Sequence, residues 1–173
     1  MSNFAFLPER FRDVAAPAIQ SEAQIINDPR AACFHARFSL EAIVHWLYRH
    51  DRSLRMPYDK ALGTLLHEPS FQNLLPEAIF QKARVIQKVG NVAVHDPRPI
   101  KGEHAHQLVK ELHHICFWLM RTYAPSASKE GAGWKDDRVP KPLSKGSVAP
   151  RAELEALETK LAEQNEEMLK QQL

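Results

Sequence analysis

Apolar side chains in residues 1–124 recur at intervals of three and four positions, which is the spacing of one face of an α-helix. Proline marks the limits of these runs. Asp28-Pro29 is typical of a helix start, with Asp as the N-cap and Pro in the first turn, and Asp96-Pro97 is typical of a helix end. No stretch alternates apolar and polar residues as a half-buried strand does. The pattern therefore predicts an all-α protein.

The same spacing predicts five helices joined by short loops. We expect helices over residues 11–26, 29–51, 58–67, 76–96 and 103–123, and the first is the weakest because Pro17 interrupts it. Short connections favour antiparallel neighbours, so the predicted fold is an antiparallel four- to five-helix bundle. The apolar residues at helical spacing on the second of these helices are Phe34, Phe38, Val44, Leu47 and Tyr48.

Two further segments follow the predicted bundle domain of residues 1–124. Residues 125–150 hold four Pro, three Gly and a single large aromatic, Trp134, so they predict a flexible linker that buries little apolar surface. Residues 151–173 hold six acidic and three basic residues, with Leu at helical spacing, and predict a separate acidic amphipathic helix. This helix runs to the last residue without a stop signal. We expect it to begin the next region of a longer chain, and a small protein with a frayed tail is the alternative.

Several classes of function are excluded by what the sequence lacks. The longest apolar run, residues 115–120, is far short of the roughly 20 residues that span a bilayer. Two cysteines, Cys33 and Cys116, are too few for a disulfide framework, so a cytoplasmic location is expected. The sequence holds no phosphate-binding P-loop, no dinucleotide-binding glycine motif and no zinc-ligand spacing. We therefore expect no cofactor and no metal in this chain.

Nine histidines raise the question of a metal site, most of all the four between positions 104 and 114. His104 and His106 point about 200° apart on a helix, and His106 and His113 are roughly 10 Å apart along its axis. Neither pair can hold one ion without a third element. His104, His106, His113 and His114 are therefore expected on a solvated helix surface.

The densest group of polar residues lies on the fourth predicted helix, and a polar pair lies on the second. One interpretation is a cleft in which His95 and a basic residue handle a phosphodiester. The other is a buried polar network, in which Gly90 lets two helices approach closely while polar side chains satisfy one another. Spacing alone favours the network, whose expected members are Arg37, Glu41, Gly90, Asn91 and His95, with Arg84, Gln87 and Lys88 nearby.

Three arginines near the end of the second predicted helix offer a possible DNA contact. Arg49, Arg52 and Arg55 are spaced by three, so they would lie on one side if the helix continued, and such a row can contact phosphates. A solvated helix end is the alternative, since positive charge there complements the helix dipole.

A set of short motifs occurs in order along residues 2–124. They are Ser2-Asn3-Phe4-Ala5-Phe6-Leu7, Glu22, Asp28-Pro29, Arg37 with Leu40-Glu41, Leu47-Tyr48, and Gly90-Asn91-x-Ala93-x-His95. This set resembles the N-terminal helical domain of the restriction (R) subunits of type I restriction–modification systems. That domain is placed in the HEPN superfamily (higher eukaryote and prokaryote nucleotide-binding domains).

The resemblance implies a non-catalytic docking or regulatory domain at the head of a much longer chain. In such R subunits, later domains carry a Mg²⁺-dependent endonuclease site and an ATP-hydrolysing motor that translocates DNA. The complete enzyme cuts unmethylated DNA, and its R subunits assemble with methylation and specificity subunits. ATP and Mg²⁺ are accordingly expected in the full-length protein and not in this segment.

A different function is implied by those HEPN proteins that are metal-independent ribonucleases with an R-x(4–6)-H pattern. In these enzymes the His transfers protons and the Arg stabilises the developing negative charge. His95 matches the histidine, but positions 88–90 hold no arginine. The alternative function is therefore a ribonuclease or toxin-like domain using His95 with Asn91 and with Lys88 or Arg84.

Overall fold

Six α-helices and no strand make up the part of the chain that the structure describes. This computed structural model describes residues 1–142 together with Ala156, Thr159 and Lys160, and the rest of the predicted linker and C-terminal helix lies outside these residues. The predicted all-α class is confirmed. The helices are α1 (Arg12–Gln24), α2 (Pro29–His50), α3 (Leu62–His67), α4 (Pro69–Leu74), α5 (Glu77–His95) and α6 (Gly102–Tyr123), with short 3-10 turns at Glu9–Phe11 and Asp136–Arg138.

Helix α2 is the central helix of the bundle. It packs against α1, α5 and α6, and α5 packs in turn on α6. The helix begins where the sequence predicts, because the Asp28 side chain accepts a hydrogen bond from the Ala31 N–H and Pro29 occupies the first turn. The core faces of these helices are fully buried, and each large side chain stabilises the fold by about 2 kcal/mol. The fully buried large side chains include Leu40, Ile43 and Leu47 of α2, Ile86 of α5, and Leu112 and Ile115 of α6.

Two local details differ from the predicted helices. The third predicted helix begins at Leu62 and not near Tyr58, and a six-residue helix follows it at Pro69–Leu74. The Glu68 side chain starts this second short helix by accepting a hydrogen bond from the Ser70 N–H. Pro17 lies inside α1 without ending it. The extensive packing of α1 on α2 offsets the local cost of that proline.

The segment predicted as a flexible linker is in part attached to the bundle. Residues 1–141 form one compact unit, which extends beyond the expected boundary at residue 124. Asn3 holds the backbone of Lys135 from both sides: its Nδ2 donates to the carbonyl at 2.9 Å, and its Oδ1 accepts from the N–H at 2.7 Å. Trp134 packs edge-on against Phe4. Composition alone predicts a linker here because Asn3 and Phe4, which hold this segment, lie 130 or more residues earlier in the sequence.

Residues 142–173 form the second unit. Of its described residues, Ala156, Thr159 and Lys160 are helical and exposed, and Pro142 is exposed without regular secondary structure. None of the helices in the described ranges is long and apolar enough to cross a membrane.

Candidate functional site

Helices α2 and α5 are in close contact at Gly90. A Cβ atom placed on this glycine would lie 2.5 Å from the Cβ of Arg37 and 2.7 Å from its Cδ, and non-bonded carbon atoms do not approach each other so closely. Glycine in the middle of a helix costs about 1 kcal/mol relative to alanine. The close approach of the two helices is the physical reason for a glycine at this position.

A polar cluster lies beside this contact and joins the two helices. The Arg37 Nε donates to the Asn91 Oδ1 at 2.9 Å, and the Arg37 Nη1 lies 3.4 Å from the Glu41 Oε2. The His45 Nε2 extends the cluster, 3.9 Å from the other Glu41 oxygen. These side chains are only partly buried. The structure thus brings together Arg37, Glu41, Gly90 and Asn91, and adds His45, which the i, i+4 spacing from Glu41 could have revealed.

His95, which was expected in this network, lies outside it in the structure. It is the last residue of α5, its side chain is exposed, and no hydrogen bond or ion pair joins it to the described residues. The α2 residue that reaches this end of α5 is Arg30, two turns before Arg37 on the same helix face. Its Nη1 donates to the carbonyls of Ala93 and Asp96, both at 2.6 Å. A cation at a helix C-terminus is electrostatically favourable, so Arg30, and not His95, makes the polar contact between α2 and the end of α5.

The two basic residues considered as catalytic partners of His95 are not beside it. Lys88 lies about two turns, or 10 Å along the axis, before His95, and Arg84 lies about 16 Å before it. Lys88 is exposed, whereas Arg84 is partly buried and its Nε has no hydrogen-bond partner among the described residues. The helix geometry therefore separates the residues that a ribonuclease site would need to bring together.

The predicted row of three arginines is not formed. Helix α2 ends at His50, and Asp51 has an extended backbone because its carboxylate accepts hydrogen bonds from the Ser53 N–H and Oγ. Arg52 and Arg55 follow in a loop, so they do not share a helix face with Arg49. All three arginine side chains are exposed.

A second polar cluster, which sequence reasoning missed, fixes the N-terminal segment. Asn3 and Glu22 are both buried, and the Asn3 N–H donates to the two Glu22 carboxylate oxygens at 3.2 and 3.0 Å. Both residues belong to the ordered motifs noted in the sequence. Their pairing connects positions 19 residues apart, so it follows from the packing and not from any local pattern.

His113 is buried, contrary to the expectation of a solvated histidine surface. Its ring lies edge-on to Phe4, Phe6 and Trp134, with ring centroids 5.2 to 5.7 Å apart. Neither ring nitrogen makes a well-formed hydrogen bond within the described residues, and the nearby backbones of Ala132 and Asn3 only slightly favour the protonated ring by raising its pKa. Burial lowers the pKa of His113 to about 4, with a smaller contribution from the neighbouring charge of His114. The imidazole is therefore neutral at pH 7.

Two phenylalanines of α2 that follow the apolar spacing of the helix lie on the protein surface. Phe34 is 44% exposed and Phe38 is 55% exposed, and Arg37 directly precedes Phe38 in the α2 sequence. With parts of α1 they line a shallow cavity of about 420 Å³, whose other lining residues are Ala16, Pro17, Gln20 and His35. We refer to Phe34, Phe38 and these lining residues as the aromatic surface. Helical spacing alone could not distinguish it from the core.

The comparisons with known proteins give one match. Residues 20–170 match the DUF4145 family, which is described as a domain of unknown function. No curated protein and no solved structure matches the chain. The family match covers most of the chain, from the second half of α1 through the whole of the bundle that follows. The chain therefore belongs to the DUF4145 family.

Proposed function

We propose that this protein is a non-catalytic docking or regulatory domain of the R subunit of a type I restriction–modification enzyme. The proposal rests on the ordered motifs that resemble such domains. The aromatic surface is the observation that carries the docking role. Exposed aromatic side chains beside an arginine are the residue types that dominate the binding energy of protein interfaces.

The surroundings of the motif residues support a role without catalysis. Gly90, Arg37 and Asn91 hold α2 against α5, and Asn3 with Glu22 anchors the N-terminal segment. Each of these residues is accounted for by its part in the packing. None of them needs a substrate to explain its position.

The expected partners are the methylation and specificity subunits, with DNA bound in the complete complex. In the implied full-length protein, ATP and Mg²⁺ would belong to other domains, since this sequence lacks the motifs that bind them. The aromatic surface would then contact the protein core formed by the methylation and specificity subunits.

The docking role predicts that polar substitutions on the aromatic surface weaken assembly and leave the fold intact. For Phe34→Ser combined with Phe38→Ser, we expect at least about a tenfold loss of affinity for purified methylation and specificity subunits, because buried aromatic anchors contribute most at interfaces. Isothermal titration would measure the affinity, and circular dichroism would monitor the fold. Val94→Ser, at a residue 51% exposed on α5, is the matched control and should bind as the wild type does. Equal binding by all three proteins, or no binding by the wild type, would contradict the proposal.

A metal-independent ribonuclease is the second candidate, and one observation favours it. The His95 imidazole is exposed at the end of α5, where a substrate could reach it. The Arg30 guanidinium lies at the same end of α5, but its donors are directed to the carbonyls of Ala93, Asp96 and Arg98. That arrangement leaves few of the guanidinium N–H groups free to bind a phosphodiester, so we rank this function second.

The ribonuclease candidate is tested by incubating RNA with the full chain and with His95→Ala in the presence of a chelator. If the docking role is correct, the two proteins should give equal and negligible amounts of product. Cleavage by the wild type that is lost in His95→Ala would replace the docking proposal with the enzymatic one.

A further inference from the structure

A groove lies between α5 and α6, and none of the residues that line it belongs to the aromatic surface. It has a volume of about 560 Å³ and is also lined by residues 98–100 of the loop between the two helices. Its walls are two turns long on each helix. From α5 they include Val85, Val89 and Val92, and from α6 His104, Gln107, Leu108 and Glu111.

The floor of the groove is apolar and exposed to solvent. Val85 and Val92 are 47% and 45% exposed, and Val89 lies between them on the same face at the i, i+4, i+7 spacing. Ile100 and the buried Leu108 complete the floor. A β-branched ridge of this kind on a helix is usually covered by a neighbouring element. In the described residues, this ridge has no such cover.

The charges around the groove favour an acidic partner. Glu111 is the one acidic residue among those that line it, and its carboxylate is already bound by Lys82 and Gln107. Lys88 is exposed and makes no ion pair with the described residues. Arg98 is at the rim with its side chain 84% exposed, although it also binds Asp96. The basic side chains at the rim can therefore bind an acidic partner, and the one carboxylate that lines the groove is already paired.

We propose that this groove, hereafter the α5–α6 groove, binds an acidic amphipathic helix of another protein. Two packed helices present a furrow into which the side-chain ridge of a third helix fits, at the usual interaxial distance of about 8–10 Å. Apolar side chains at i, i+4 and i+7 of the partner would cover the valine ridge. Acidic residues flanking that stripe would meet Lys88 and Arg98. The inference does not depend on the aromatic surface or on the R-subunit assignment.

A synthetic peptide tests the proposal with the full chain. The probe is about 14 residues long, or four helical turns, with Leu at i, i+4, i+7 and i+11 and Glu and Ala elsewhere, and it carries a fluorescent label. We expect saturable binding by fluorescence anisotropy. A second peptide with Lys in place of every Glu should bind at least about tenfold more weakly, because it would oppose the basic rim.

Paired valine variants locate the binding site. Val92→Glu should weaken binding of the acidic peptide at least about tenfold, because it places an acid on the apolar ridge. Val94→Glu, at an equally exposed valine two residues later that does not line the groove, should leave binding unchanged.

Lack of binding, equal binding of the two peptides, or equal effects of the two variants would overturn the proposal. So would sedimentation showing that the α5–α6 groove mediates a dimer sensitive to Val92→Glu. Binding that survives Phe34→Ser with Phe38→Ser would separate this site from the aromatic surface.

Discussion

Replacing Gly90 with alanine is expected to lower the free energy of unfolding by about 2 kcal/mol. The new methyl group would lie 2.5 Å from the Arg37 Cβ, which is fixed to the backbone of α2 and cannot swing away. The two helices would have to separate, and the Arg37–Asn91 hydrogen bond would lengthen or break. This overpacking costs about 3 kcal/mol, which exceeds the gain of about 1 kcal/mol that alanine brings to a helix and leaves the net loss of about 2 kcal/mol. Thermal unfolding should show a decrease in Tm of about 4–8 °C for a chain of this size.

Gly63→Ala is the matched control, since it is also a glycine-to-alanine change in a helix with a close neighbour. Its Cβ would lie 2.9 Å from the Gln87 Nε2, which is the free end of a flexible side chain and can move. Tm should therefore stay the same or rise slightly. Equal losses for the two variants, or no loss for Gly90→Ala, would show that the α2–α5 contact does not require a glycine.

Acidification from pH 6.5 to pH 4 is expected to remove about 3 kcal/mol of stability through His113 alone. In the unfolded chain this histidine takes up a proton as the pH falls through its usual value near 6.5, whereas in the folded protein its pKa is lowered to about 4. Between these values the unfolded state binds more protons, so its population grows. The stabilising contribution of the neutral ring is fully present above about pH 6.5 and is lost towards pH 4.

Denaturant titrations across this range would measure the effect, with His113→Phe as the control. Phenylalanine supplies a ring of similar shape among Phe4, Phe6 and Trp134 but cannot be protonated. Carboxylates titrate in both proteins, so the difference between the two stability curves isolates His113. Parallel curves would contradict the prediction. NMR titration of the His113 ring in the wild type gives an independent reading, which remains valid if the variant folds poorly.

The helices themselves could be predicted because their signals are local. Asp28-Pro29 starts α2, Asp96-Pro97 ends α5, and both limits are within a residue or two of the predicted positions. The short helix Pro69–Leu74 was missed, since six residues are too few to establish a period. The packed segment around Trp134 was also missed. Its hydrogen-bonding partner, Asn3, is adjacent in space but 132 residues earlier in the sequence.

The candidate site was only partly predictable for a related reason. The i, i+4 spacing puts Arg37 and Glu41 on one helix face, where their charged atoms lie 3.4 Å apart, and the unusual Gly90 indicates a close helix contact. The same spacing placed His95 with Asn91. It could not show that Arg30 of α2, and not His95, makes the polar contact at the end of α5.

The sequence by itself determined where helices form and which positions share a helix face, because the backbone period and the capping residues act over a few neighbouring positions. Only the tertiary structure decided which faces meet. The N-terminal segment and the segment around Trp134 cover His113. The packing of α1 on α2 leaves Phe34 and Phe38 in solvent, and the packing of α5 on α6 opens the α5–α6 groove. Those outcomes depend on the position and angle of one helix against another, which are set by the packing of the whole core and not by any one segment.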